Sequence, residues 1–276
     1  MPLTPSSTRS LLDQLGHRPS KKLGQNFLVD GNIVDKSLDL AQVKSGELVV
    51  EIGPGLGSLT SALLEAGAQV WAIEYDRRLF ENLVNALLPQ WPGKLDLIHG
   101  DAVDHPLANF ASKSKDFKVV ANLPYAISTP WMEKLLTGPL PERMVLMLQK
   151  EAADRFTAKS GTKSYGAISV LIEATYQRRP GHAVSRQCFH PVPDVDSTLL
   201  HLERLPEPFA FTEGQRNLIR HFFTQRRKQI GSLVRKCPQR ETLQPWLEAL
   251  AQLDIAETTR PEAIPLPGWR ALPTTL

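Results

Sequence analysis

The stretch Leu48-Val49-Val50-Glu51-Ile52-Gly53-Pro54-Gly55-Leu56-Gly57-Ser58-Leu59 decides the fold. Its apolar first half reads as a short buried strand, its glycines as a tight turn, and the residues from Leu59 to Glu65 as a helix. The same alternation continues downstream. Val70-Trp71-Ala72-Ile73, Leu95-Asp96-Leu97-Ile98, Val119-Val120 and Met144-Val145-Leu146-Met147-Leu148 are further short apolar runs, separated by helical stretches such as Leu79 to Leu88. Strands alternating with helices predict βαβ units and a doubly wound, mostly parallel sheet covered on both faces. In such a sheet, ligands bind in the crevice outside the carboxyl ends of the strands.

Those strand ends carry chemistry. Gly53 and Gly55 let a ligand approach the backbone, while Ser58 stands where a dinucleotide fingerprint would have its third glycine. Glu74 closes the next strand, where an acid can take both hydroxyls of a ribose, and Asp101 closes the one after. An acid at one strand tip is commonly a solvated loop residue or a helix cap. Three successive tips together describe a nucleoside pocket with little phosphate-binding apparatus, which suits S-adenosylmethionine better than a dinucleotide. The fourth strand runs into Asn122-Leu123-Pro124-Tyr125. The exocyclic amine of adenine is a poor nucleophile because its lone pair is delocalised into the ring. The Asn122 side-chain oxygen and the Leu123 carbonyl would accept its hydrogens, localise that pair and aim it at a methyl donor. Pro124 would hold the carbonyl in place and Tyr125 would offer a stacking face.

Composition permits this reading without demanding it. The chain has 276 residues, 42% hydrophobic, with a net charge of +3 that tolerates a polyanionic partner. Its two cysteines, Cys188 and Cys237, lack CxxC or His spacing, so neither a disulfide scaffold nor a zinc site is expected, and no metal. No run approaches the roughly 18 apolar residues of a membrane span, and the N-terminal segment lacks the order of a signal peptide, so a cytoplasmic location is expected. Residues 1–22 read as a loosely ordered basic arm, 23–205 as the sheet domain and 206–276 as a helical domain that begins with one helix from Thr212 to Val234. Gly161-Thr162-Lys163-Ser164 imitates the end of a P-loop, but Thr162 stands where a glycine must directly precede the lysine, and no strand precedes the segment.

Several motifs in order, Lys22-Leu23-Gly24-Gln25-Asn26-Phe27-Leu28, Glu51-Ile52-Gly53-Pro54-Gly55, Asn122-Leu123-Pro124-Tyr125, Gln149-Lys150-Glu151, Tyr165-Gly166, Phe189-x-Pro-x-Pro-x-Val-x-Ser197 and Phe223-x-Gln-Arg-Arg-Lys228, resemble the ribosomal RNA adenine N6,N6-dimethyltransferases. The resemblance implies a Rossmann-like class I methyltransferase domain followed by a smaller all-helical domain. It implies S-adenosylmethionine as donor and dimethylation of two adjacent adenosines in the 3'-terminal hairpin of 16S ribosomal RNA. The partner would be a pre-assembled small subunit, the protein a monomer with a role in subunit biogenesis. Carried onto this chain, it assigns Gln25, Asn26, Leu28, Gly53, Gly55, Glu74, Asp101 and Asn122 to the cofactor. Asn122, Leu123, Pro124 and Tyr125 would hold the target base, with Phe189 stacking from the other side. Lys21, Lys22, Arg227 and Lys228 are the expected RNA contacts, whereas Arg226 falls on an apolar helix stripe and reads as an interdomain ion-pair or packing residue. Gly231-Ser232 departs from the Arg-Asn pair common in the family. Two other readings share these residues: an RNA-binding assembly factor whose main role is non-catalytic, and a DNA adenine methyltransferase.

Overall fold

The computed structural model describes residues 3–111 and 116–275. Its strands are β1 (Phe27–Leu28), β2 (Leu48–Ile52), β3 (Gln69–Glu74), β4 (Leu95–His99), β5 (Lys118–Asn122), β6 (Arg143–Gln149), β7 (Tyr176–Val184), β8 (Phe189–His190) and β9 (Ser197–Arg204). Its helices are α1 (Pro5–Gln14), α2 (Gly31–Ala41), α3 (Ser58–Glu65), α4 (Arg77–Ala86), α5 (Ser128–Leu135), α6 (Lys150–Phe156), α7 (Ala167–Thr175), α8 (Glu213–Thr224), α9 (Ile230–Lys236), α10 (Arg240–Gln252) and α11 (Leu266–Arg270).

Seven strands form one sheet in the order β4-β3-β2-β5-β6-β9-β7. The five from β4 to β6 are parallel and β9 joins β6 antiparallel. The chain therefore winds outward from β2 to β4, then returns to add β5 and β6 on the other side. The reversal lies between β2 and β5, where connections leave in opposite directions and open a crevice. Val49, Val50, Val119 and Val120 are fully buried at this centre, as expected for strands covered on both faces.

The chain separates into two compact units, one of residues 1–153 and 178–204, the other of 154–177 and 205–276. The helical unit thus includes a segment that the sequence reading assigned to the sheet domain. Three contacts within the unit hold it: Tyr165 meets Phe223 edge-on at 5.9 Å, the Gly161 N–H donates to Glu262 O at 2.7 Å, and Arg226 donates to Lys163 O at 2.7 Å. All are distant in sequence. The core of this unit is a chain of rings in which Phe222 stacks on Trp246 at 5.8 Å and Trp246 meets Trp269 at 5.7 Å. Each indole N–H is satisfied, Trp246 by Gly268 O at 2.7 Å and Trp269 by Ile264 O at 3.0 Å.

Two further expectations are corrected. Residues 5–14 are helical rather than loose: Thr4 caps α1 in a reciprocal box with Ser7, Pro5 opens it, and Leu12 is buried with Phe27, Leu56 and Leu79. The single helix expected from Thr212 to Val234 is broken after Thr224, so the basic run Arg226-Arg227-Lys228 lies in the connector to α9. The first N–H groups of α9 turn to a remote loop, Ile230 to Thr259 O at 2.8 Å and Gly231 to Glu257 O at 2.9 Å. This packing also accounts for Gly231, because a Cβ there would stand 2.5 Å from the Glu257 carboxylate.

Replacing Trp246 with Ala removes both the stacked ring and the hydrogen bond to Gly268. The expected cost is about 3–5 kcal/mol, read as a lower urea midpoint by circular dichroism of the full chain.

Candidate active site

The crevice at the winding reversal is a cavity of about 270 Å³, lined by the tips of β2, β3 and β5, the Gly100–Ala102 turn after β4, and residues 22–28 of the N-terminal segment. All the residues expected to bind cofactor line it, as do Asn122 to Tyr125. Gly53 and Gly55 have φ of +68° and +61°, in the left-handed region. They are also crowded: a Cβ on Gly53 would lie 3.2 Å from the Pro124 ring, and one on Gly55 3.2 Å from Phe27. Glycine is favoured here by backbone shape, and a Cβ would oblige the Pro124 and Phe27 rings to give by a few tenths of an ångström.

Glu74 ends β3 with both oxygens engaged, Oε2 accepting from Gly55 N at 2.9 Å and Oε1 from Asp76 N at 2.8 Å. One bond per oxygen leaves acceptor capacity for ligand hydroxyls. Burial pushes its carboxyl up to about 7, against the opposing pull of those two N–H groups. Asp101 Oδ1 accepts from Val103 N at 2.8 Å, which fixes the turn that carries it.

Glu51 is a site residue to which the sequence reading gave no role. It lies on β2, 1% exposed, and lines the cavity. Its Oε2 has no hydrogen-bond partner among the described residues. Burial raises its carboxyl to about 8, with Thr60 opposing and the neighbouring Glu74 charge adding. A charged residue in the middle of a buried apolar strand was the available signal.

At the tip of β5 the Asn122 amide nitrogen donates to Asn26 O at 3.0 Å. That bond assigns the amide orientation and leaves Oδ1 as the group offered to a ligand. Pro124 precedes a single 3-10 turn, Tyr125–Ile127. The Tyr125 hydroxyl is 2.7 Å from Ser197 Oγ, and burial holds its phenol above the usual value.

Gln25 lines the cavity, yet its amide is already engaged. Its Oε1 accepts from Ser20 N at 2.7 Å and its Nε2 donates to Asp76 Oδ2 at 3.0 Å, while His17 lies 3.1 Å from the same Oε1. The amide ties residues 17–25 to the cap of α4 while the residue itself lines the cavity. Phe189, expected to stack on the base, does not line the cavity: it is 2% exposed, paired with Leu28 through β1 and β8, and packed in the core of the sheet unit. The short β1–β8 ladder turns its ring inward. Lys22 lines the cavity and Lys21 is exposed beside it in sequence. Arg227 and Lys228 are exposed in the connector of the helical unit. Arg226 pairs with Glu262 at 2.6 Å, an ion pair within that unit rather than between domains. Among the described residues, no group of three or more His, Cys, Asp or Glu could hold a metal ion, and no helix is long and apolar enough to cross a membrane.

Comparison with known proteins places this geometry. The family model described as Ribosomal RNA adenine dimethylase matches residues 16–264. The chain is 59% identical over 274 residues to Ribosomal RNA small subunit methyltransferase A of Opitutus terrae, covering 99% of this chain and 98% of that protein. It is 38% identical over 283 residues to the protein of the same name from a Geobacillus species, covering 99% and 97%. A solved structure described as a dimethyladenosine transferase from Plasmodium falciparum has a TM-score of 0.72 at 28% identity, covering 89% of this chain and 95% of that one. The sheet order, the crevice at its reversal and a match running through both units agree: the chain belongs to the ribosomal RNA adenine dimethylase family.

Proposed function

We propose that this chain transfers methyl groups from S-adenosylmethionine to the N6 amines of two adjacent adenosines in the 3'-terminal hairpin of 16S ribosomal RNA, acting as a cytoplasmic monomer on a pre-assembled small subunit. Family membership supports the reaction class and the cofactor. The observation that carries the chemistry is the Asn122 amide, whose nitrogen is committed to Asn26 O and whose oxygen is left as an acceptor on the cavity that Glu74 also lines.

When bound, S-adenosylmethionine supplies an electrophilic methyl carbon on a positively charged sulfur. The residues present fit it. Glu74 takes the ribose hydroxyls, Asp101 the adenine amine, and the Gly53 to Gly55 turn accepts the close approach of the methionine part. Asn26 and Leu28 close the cavity from the N-terminal side. The unpartnered Glu51 oxygen offers a negative counter-charge to a cationic ligand. Asn122 Oδ1 and the Leu123 carbonyl accept the two amine hydrogens of the target adenine and turn its lone pair toward the donor. Pro124 restricts the backbone between them and the Tyr125 ring stacks on the base. The amine proton becomes acidic only once the methyl has arrived, so no strong base is required, and the neutral phenol of Tyr125 is suited to packing rather than proton abstraction. Lys21, Lys22, Arg227 and Lys228 pair with RNA phosphates, which position the substrate without reading its sequence.

Purified protein, labelled S-adenosylmethionine and undermethylated small subunits should give dimethyladenosine at two adjacent positions by mass analysis of the RNA. Unlabelled adenosine in the presence of bound cofactor would overturn the assignment. Tyr125→Ala should lower turnover about tenfold to a hundredfold, the scale of one lost base stack, with the cofactor dissociation constant changed less than twofold. Below about pH 8 the Glu51 carboxyl of the free protein holds a proton, and a bound cation favours its ionised form. Binding therefore releases a proton, and cofactor affinity rises as pH climbs toward 8. Calorimetry in buffers of different ionisation enthalpy should show this release, and Glu51→Gln should diminish it.

A further inference from the structure

Tyr125 and Ser197 lie 72 residues apart in the chain, yet their hydroxyls are 2.7 Å apart. Ser197 opens β9, opposite Gln149 at the end of β6, and is 2% exposed. Its surroundings are pinned on both sides. The preceding residue, Asp196, accepts from Lys150 N at 3.2 Å through its carbonyl and from Arg186 N at 2.9 Å through Oδ1. Ser197 is therefore a fixed point in the sheet unit, set by strand register rather than by any loop of its own. Tyr125 is held at its other end as well, since Ser128 Oγ donates to the Tyr125 carbonyl at 3.1 Å.

The tyrosine hydroxyl lies on the axis of the bond that joins ring to Cβ, so a tether there fixes the direction of the ring's long axis and the place the ring occupies. A backbone carbonyl held by one serine and a phenol oxygen held by another anchor Tyr125 at both ends. The ring so placed stands beside Asn122, Leu123 and Pro124, lining the cavity. We propose that Ser197 is a positioning residue for methyl transfer: it fixes where the Tyr125 ring stands against the cavity, and through it the place at which the target adenine stacks and presents its amine. The proposal rests on the base-holding reading of Asn122 to Tyr125. It gives a function to the serine that ends the Phe189-x-Pro-x-Pro-x-Val-x-Ser197 segment, which neither lines the cavity nor reaches a substrate. A purely structural Ser197 would use its hydroxyl to satisfy the strand and would act on stability alone.

Removing one net hydrogen bond of this kind should lower the rate about fivefold to tenfold. The test is a cycle of Ser197→Ala, Tyr125→Phe and the double variant in the full-length protein. Each is assayed for kcat and KM on undermethylated small subunits and for its melting temperature. The expected result is that each single variant loses kcat by that factor at unchanged KM for S-adenosylmethionine. The double variant should lose no more than either alone, because both changes cut the same bond. Tyr125→Phe leaves Ser197 and its strand untouched, so a folding defect confined to Ser197→Ala cannot imitate the result. Additive losses, or a lower melting temperature in Ser197→Ala at full kcat, would overturn the role of Ser197 and leave the base-holding reading intact. Wild-type protein that binds cofactor but methylates nothing would overturn both.

Discussion

The crevice depends on one close approach, between the left-handed turn at the tip of β2 and the rigid ring that follows β5. Gly53 has no Cβ, and one would press on the Pro124 ring at 3.2 Å, closer than ordinary van der Waals contact. Because β2 and β5 are neighbours at which the winding reverses, their connections diverge and leave their tips open side by side. The glycine turn proposed to meet the cofactor and the Asn122 to Tyr125 segment proposed to hold the base are thereby set against each other by sheet topology. Pro124 then works twice, restricting its own backbone and abutting the glycine turn.

Around that approach the polar groups are arranged so that each is either committed or left open for a reason. Glu74 engages one backbone N–H per oxygen, Asn122 ties its nitrogen to Asn26 O and leaves its oxygen open, and Gln25 uses both ends of its amide to hold residues 17–25 against Asp76. Glu51 is the exception, a buried carboxyl with an unsatisfied oxygen facing a cavity for a positively charged donor. A buried unpaired carboxylate is costly, so it holds a proton until a cation arrives. The same desolvation that raises the carboxyl is the physical basis of the proton release expected on cofactor binding.

The parts of the fold visible in the sequence were those with local periodicity. β2 to β6 are near-continuous apolar runs, and their tips carry glycine, acid or asparagine where the chain must turn toward a ligand. The elements that escaped notice lacked that pattern. β7 contains Arg178, Arg179, Pro180 and Gly181 and reads as a loop, because an edge strand tolerates proline and exposes its side chains. α1 was hidden by its polar composition, although Thr4-Pro5 followed by Ser7 is a capping signal that could have been used. The break after Thr224 had no local signal, because the groups that satisfy α9 come from residues 257–259.

The sequence by itself determined the alternating architecture, the order of chemistry at successive strand tips and the resemblance that fixed the reaction class, since each depends on residue type and spacing along the chain. Only the tertiary structure decided what each side chain is free to do. It tied Gln25 to the cap of α4 while leaving it on the cavity wall, buried Phe189 in the core of the sheet unit, brought residues 154–177 into the helical unit, and paired Arg226 within that unit. It also joined Tyr125 to Ser197 and left one Glu51 oxygen without a partner among the described residues. Hydrogen-bond capacity is consumed by whichever partner is nearest in space, and that is not encoded in the local pattern around either residue.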